Sequence, residues 1–172
     1  MLKIAGSILV MGATTLFGMK RASELREQCR QMEYVRHLFY QLQSEIRYAR
    51  SPLGEIFASI GKNAKDPYGI WLLRTGEEMS KRDGGTFYDL WRAGVRKYLG
   101  VSALSQTELN RLEELGGRLG LMDADMQVKA VELYLSGLSS SIEEIREGMK
   151  SRVRLCHCLG VMSGMLIVIL LL

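Results

Sequence analysis

A chain of 172 residues suits one domain, and a net charge of +4 is too small to imply nucleic acid as a partner. Three cysteines, Cys29, Cys156 and Cys158, give no disulfide framework. Two prolines, few β-branched runs and an abundance of Leu, Glu, Arg and Met argue for an all-α fold. The charge is also segregated. All 19 acidic residues fall between Glu24 and Glu147, and every Lys and Arg except Lys3 falls between Lys20 and Arg154. A charged middle is thus flanked by two nearly uncharged ends.

The first element is the apolar stretch Ile4–Met19, "IAGSILVMGATTLFGM", closed by Lys20 and Arg21. It predicts an N-terminal transmembrane helix over 1–19, rich in small residues such as Gly6 and Gly12 that let another helix approach closely. A cleaved signal peptide is the alternative, and it lacks a convincing small-residue cleavage site. From Lys20 to Arg50 nothing breaks a helix. Leu25, Cys29, Met32, Phe39, Leu42, Ile46 and Ala49 recur at three and four, with Val35 and Leu38 beside them, as one amphipathic stripe continuing the first span.

Ser51-Pro52 ends that helix and starts a second, with proline at its first position, through Leu53, Ile56, Phe57 and Ile60 to a stop at Gly61. Asp66-Pro67 repeats the signal for a third helix through Trp71, Leu72 and Met79, closed by the "RDGG" turn at Arg82–Gly85. A fourth follows Thr86, with Phe87, Leu90, Trp91, Val95 and Tyr98 on one side. "SQTE" at Ser105–Glu108 is a capping box for a fifth, with Leu109, Leu112 and Leu115, expected to stop at Gly116-Gly117. Asp123 caps the last and longest helix, whose stripe runs Met126, Ala130, Leu133, Leu138, Ile142, Ile145, Met149 and Val153.

That helix runs into Leu155–Leu172, eighteen residues with no full charge. About 20 apolar residues cross the hydrocarbon layer, so a C-terminal transmembrane helix is expected over 153–172. Gly160 and Gly164 give it a G-x-x-x-G spacing for packing against Gly6 or Gly12. Lys20, Arg21, Arg26 and Arg30 flank the inner side of the first span. Arg146, Lys150, Arg152 and Arg154 flank that of the second, whereas Lys3 alone lies outside. The positive-inside rule therefore puts 20–152 in the cytoplasm, as a helical-bundle domain with both termini outside. The fold predicted is a six-helix antiparallel bundle between two terminal transmembrane helices.

No catalytic motif is present. Gly61-Lys62 is not a phosphate-binding loop, because Ile56 stands where that motif needs glycine. Adjacent acidic pairs such as Glu77-Glu78, Glu113-Glu114 and Glu143-Glu144 point apart on a helix. Cys156-His157-Cys158 lacks a fourth ligand within reach, and its two thiols lie on different helix faces. No catalytic, cofactor-binding or metal site is expected, and the interspersed Arg and Glu suit a docking surface.

Four stretches carry a resemblance: "MLKIAGSILV", "QSEIRYARSPLGEIF" at Gln43–Phe57, "LGLMDADMQ" at Leu119–Gln127, and "LGVMSGMLIVILLL" at the end. In this order they resemble the stage III sporulation protein AB family of endospore-forming Firmicutes, over essentially the whole chain. The matching positions include Glu45, Pro52, Leu119, Gly120, Asp123, Gln127 and Gly160. The resemblance implies a cytoplasmic domain similar to the helical domains of the inner-membrane platform protein of type II secretion and type IV pilus systems. The chain lacks the duplicated domain of those platforms. It further implies a place in a channel-like complex across the mother-cell and forespore membranes. The expected partners are the cytoplasmic stage III protein AA ATPase, other membrane proteins of that complex, and membrane lipid. A membrane-tethered adaptor or regulator with no channel role is the alternative.

Overall fold

Helix punctuation by proline, serine, threonine and aspartate cuts the chain into six helices in the computed structural model, which describes residues 2–49, 51–81, 85–120 and 123–171. In the first and last helices, side-chain surroundings are described for residues 20, 23–48 and 124–149. The elements are α1 (Leu2–Tyr48), α2 (Leu53–Asn63), α3 (Tyr68–Lys81), α4 (Phe87–Gly94), α5 (Gln106–Leu119) and α6 (Ala124–Leu171). No strand occurs among the described residues. Two units are distinguishable, one of Met1–Cys29 with Ser141–Leu172, the other of Arg30–Ser140.

The start signals act as their chemistry dictates. The Thr86 hydroxyl accepts from the Asp89 amide, and the Ser105 hydroxyl accepts from the Glu108 amide. Each satisfies a donor that an open helix end leaves without an intrahelical partner. Asp123 Oδ1 accepts from the Met126 amide at 2.9 Å in the same way. Pro52 sits one place earlier than the sequence suggests. It is the capping residue, and its carbonyl accepts from Glu55 and Ile56. The Asp66-Pro67 peptide is cis, and Pro67 likewise precedes its helix.

Two glycine stops expected from the sequence are not stops. α2 continues past Gly61 to Asn63, and α5 continues through Gly116-Gly117 to Leu119. Both glycines are seats for a neighbouring helix. A Cβ on Gly61 would lie 2.8 Å from the Leu73 backbone nitrogen, and one on Gly76 would lie 2.6 Å from the Gly54 carbonyl oxygen. Gly54 and Gly61 on α2, and Gly69 and Gly76 on α3, are each seven residues apart, so both antiparallel helices present glycine to each other at two levels. A Cβ on Gly116 would come within 2.2 Å of the indole of Trp91. α5 ends at Gly120, whose amide donates to the Gly116 carbonyl.

The core of the Arg30–Ser140 unit is aromatic at its centre. Trp71 and Trp91 are almost wholly buried and meet edge to face, with centroids 4.6 Å apart. Phe57 lies against Trp91 at 5.4 Å. The Trp91 indole donates to the Leu112 carbonyl at 2.7 Å, tying α4 to α5. After Gly94, α4 runs on as a π-helical turn, Val95–Leu99, which buries Val95 and Leu99 and leaves Tyr98 half-buried. Gln31 on α1 accepts from the Tyr68 hydroxyl and from the Ala103 amide, holding α3 and the loop before α5 against α1.

The α1 stripe forms as expected through Met32, Val35, Leu38, Phe39, Leu42 and Ile46, while Ala49 is exposed at its end. The α6 stripe forms only in part, with Ala130, Leu138 and Ile142 buried as expected. Val128, Val131, Tyr134, Leu135 and Leu138 are buried, whereas Met126 is 44% and Leu133 60% exposed. The helix is turned so that part of the expected stripe faces outward.

Candidate docking surface

The positions matching the family motif divide into joints and surface. Leu119, Gly120, Asp123 and Gln127 build the joint between α5 and α6. Leu119 is wholly buried, Gly120 ends α5 and Asp123 caps α6. Gln127 Nε2 reaches back to donate to the Leu119 carbonyl at 2.8 Å. Pro52 is the joint between α1 and α2. Glu45 differs: it is exposed on α1, and its carboxylate takes no hydrogen bond among the described residues. The packing glycines Gly6, Gly12, Gly160 and Gly164 fall outside the residues whose side-chain surroundings are described.

An ion-pair clasp holds α4 to α5. Glu113 is 7% exposed and accepts from Arg96 Nε at 2.8 Å, from Arg96 Nη2 at 3.1 Å and from Arg92 Nε at 3.2 Å. The Arg96 guanidinium holds the Glu113 carboxyl below its ordinary range, with Arg92 adding to the effect. Such forked charge-assisted bonds fix geometry as well as adding energy. Their purpose is structural, since the carboxylate has both oxygens occupied.

Beside the clasp, on another face, α5 and α6 leave a groove of about 220 Å³. Leu115, Ala130, Leu133, Tyr134 and Gly137 form its apolar floor. Arg111, Glu114 and Arg118 line it from α5. Burial keeps the Tyr134 hydroxyl neutral by raising its pKa far above the usual range, and the nearby Glu108 carboxylate adds to this. Arg111 Nη1 donates to Glu108 at 2.7 Å, whereas Arg118 is exposed and makes no hydrogen bond or ion pair among the described residues. A Cβ added to Gly137 would meet nothing within 4 Å.

Sequence reasoning placed Met126 and Leu133 in the core and missed the groove. The available signal was Met126, Ala130, Leu133 and Gly137 at steps of four, three and four, beside arginines seven apart on the preceding helix. Among the described residues no cluster of three or more His, Cys, Asp or Glu could hold a metal ion. No helix among them is long and apolar enough to cross a membrane. The two expected spans, 1–19 and 153–172, lie where side-chain surroundings are not described.

A family model for stage III sporulation protein AB matches residues 3–172. Stage III sporulation protein AB of Bacillus subtilis (strain 168) is 26% identical over 171 residues, spanning 99% of this chain and 99% of that protein. A solved structure of a stage III sporulation protein AB is similar with a TM-score of 0.64 and 23% identity, over 72% of this chain and 97% of its own. At that identity the likeness speaks for the helical fold alone.

Proposed function

This chain belongs to the stage III sporulation protein AB family, and from that premise we propose that it is a non-enzymatic membrane platform for a complex between mother cell and forespore. Residues 1–19 and 153–172 anchor it in the mother-cell membrane around the forespore. The domain 20–152 stands in the mother-cell cytosol and docks the stage III protein AA ATPase. Other membrane proteins of the complex meet the spans or the outer ends.

The observation that carries this reading is the pair of long helices. α1 has 47 residues and α6 has 48, and each joins an apolar terminal stretch to a charged, core-forming stretch. A hydrocarbon layer of about 30 Å takes about 20 residues of each at 1.5 Å per residue. Basic residues on the inner flanks of both stretches support that orientation.

Topology tests it first. A single cysteine replaces exposed Asn63 in a chain freed of Cys29, Cys156 and Cys158. Labelling by a membrane-impermeant maleimide is expected only after lysis of mother cells; labelling in intact cells would end the platform reading. The double substitution Gly160→Leu with Gly164→Leu is expected to block sporulation and leave the cytosolic domain folded. Normal spore counts would remove the packing role of those glycines. Replacement of both spans by unrelated ones separates the platform from a tethered adaptor, which would tolerate the exchange.

A further inference from the structure

We propose that the groove between α5 and α6 receives an amphipathic helix of a partner protein, carrying two carboxylates two turns apart. This rests on the reading that the cytosolic domain docks another protein, and it names the face and the chemistry of what docks. Three observations fit together there. First, the floor is apolar and unfilled. Leu133 is 60% exposed on a stripe that also includes Met126, Ala130 and Gly137. Steps of four, three and four are the spacing by which one helix receives the side chains of another.

Second, the floor is shallow where a helix must approach. Ala130 and Gly137 stand either side of Leu133, and nothing lies within 4 Å of a Cβ at Gly137. In the α2–α3 pair, glycines are already closed against a neighbour. At Gly137 the space that glycine creates is vacant.

Third, the charge on the α5 side has a pattern. Arg111 and Arg118 are seven residues apart, about 10.5 Å along the axis, with Glu114 between them. An incoming helix with acidic residues at i and i+7 meets both arginines. A basic or neutral residue midway meets Glu114. Lys129, exposed one turn before Leu133 on α6, adds a further positive charge beside the groove. Arg111 already holds Glu108 at 2.7 Å and is 45% exposed, so a carboxylate there shares its guanidinium, whereas Arg118 and Lys129 have no partner of their own among the described residues and a carboxylate arriving there displaces no internal ion pair. Rim charges of this kind select the partner and set its register.

The test is photo-crosslinking in sporulating cells, with a benzophenone amino acid in place of Leu133 in the full chain. The expected adduct is a segment of a different protein whose sequence, read by mass spectrometry, is an amphipathic helix with acidic residues seven apart. Arg118→Glu is expected to cut the adduct about tenfold, the result of losing an attraction and adding a repulsion worth about 1.4 kcal/mol together. Gly137→Leu, which fills the groove from an open position, is expected to cut it equally. Absence of any adduct, an adduct with a second copy of this chain or with lipid, or one unchanged in both variants would overturn the proposal. If the adduct is the expected helix but belongs to a protein other than the ATPase, and purified ATPase does not bind the full chain, the groove stands and the ATPase reading falls. If no such adduct forms and purified ATPase binds the full chain equally with and without Arg118→Glu and Gly137→Leu, the ATPase reading stands and the groove assignment falls.

Discussion

The α2–α3 pair and the α5–α6 pair use small residues in opposite ways. On α2 and α3, Gly54, Gly61, Gly69 and Gly76 bring two backbones together so closely that added carbons at Gly61, Gly69 and Gly76 would meet backbone atoms below 3.0 Å. On α6, Ala130 and Gly137 sit at similar spacing, and Gly137 has nothing opposite it. The first pair has spent its small residues on internal packing, whereas the second keeps them open beside exposed Leu133. A glycine in a helix therefore tells little until its neighbour is known. What it permits is close approach, and the fold decides whether something approaches.

The largest test of this contrast is Gly116→Ala. Alanine is the better helix former by about 1 kcal/mol, but its Cβ would collide at 2.2 Å with Trp91, which is fully buried and bonded to Leu112. Overpacking is expected to win, with a net loss of about 2 to 3 kcal/mol in urea unfolding. Gly76→Ala comes next. Its Cβ meets a carbonyl oxygen at 2.6 Å, and the pair must separate by a few tenths of an ångström, for a net loss of about 1 to 2 kcal/mol. If either variant is as stable as the parent, the closed seats are not closed.

Glu113→Gln is smaller, about 1 kcal/mol, because both arginine partners remain solvated. Its pH dependence has a definite sign. The folded carboxyl is held below its ordinary value of 4.5, so the parent's advantage is complete above that value. It fades as pH falls through the lower, folded value. Urea unfolding of both proteins from pH 7 into the acid range is expected to show two curves that converge at low pH. A gap of constant size would mean that Glu113 acts by shape alone. Gly137→Ala is the smallest change and has the opposite sign. It is expected to stabilise the chain by roughly 0.5 to 1 kcal/mol, since the new methyl meets open space in a helix. The same variant is expected to weaken docking in the groove.

Much of the helix order was legible because punctuation is local chemistry. Thr86, Ser105 and Asp123 each offer a side-chain oxygen to an amide a few residues on, whatever the rest of the chain does. Where punctuation depended on a distant partner, the sequence misled. Gly61 and Gly116-Gly117 look like stops because glycine disfavours helix, and they are retained because Leu73 and Trp91 press on the first two. The α6 stripe failed at Met126 and Leu133 for a related reason, while Ala130, Leu138 and Ile142 are buried as expected. Periodicity shows that a helix has an apolar side but not where the boundary of burial falls. Val128, Val131 and Leu135 went in, while Met126 and Leu133 remained exposed.

The sequence by itself determined the helical class, the order of its elements, the charged middle between apolar ends and the family. Each is a property of neighbouring residues or of composition, and so survives without coordinates. Only the tertiary structure decided which glycines are occupied, that Glu113 is clasped by Arg92 and Arg96, and that α5 and α6 stay apart beside Arg118 and Leu133. Those depend on residues up to dozens of positions apart meeting within a few ångströms, a distance that steric fit across the whole core sets and no local pattern encodes.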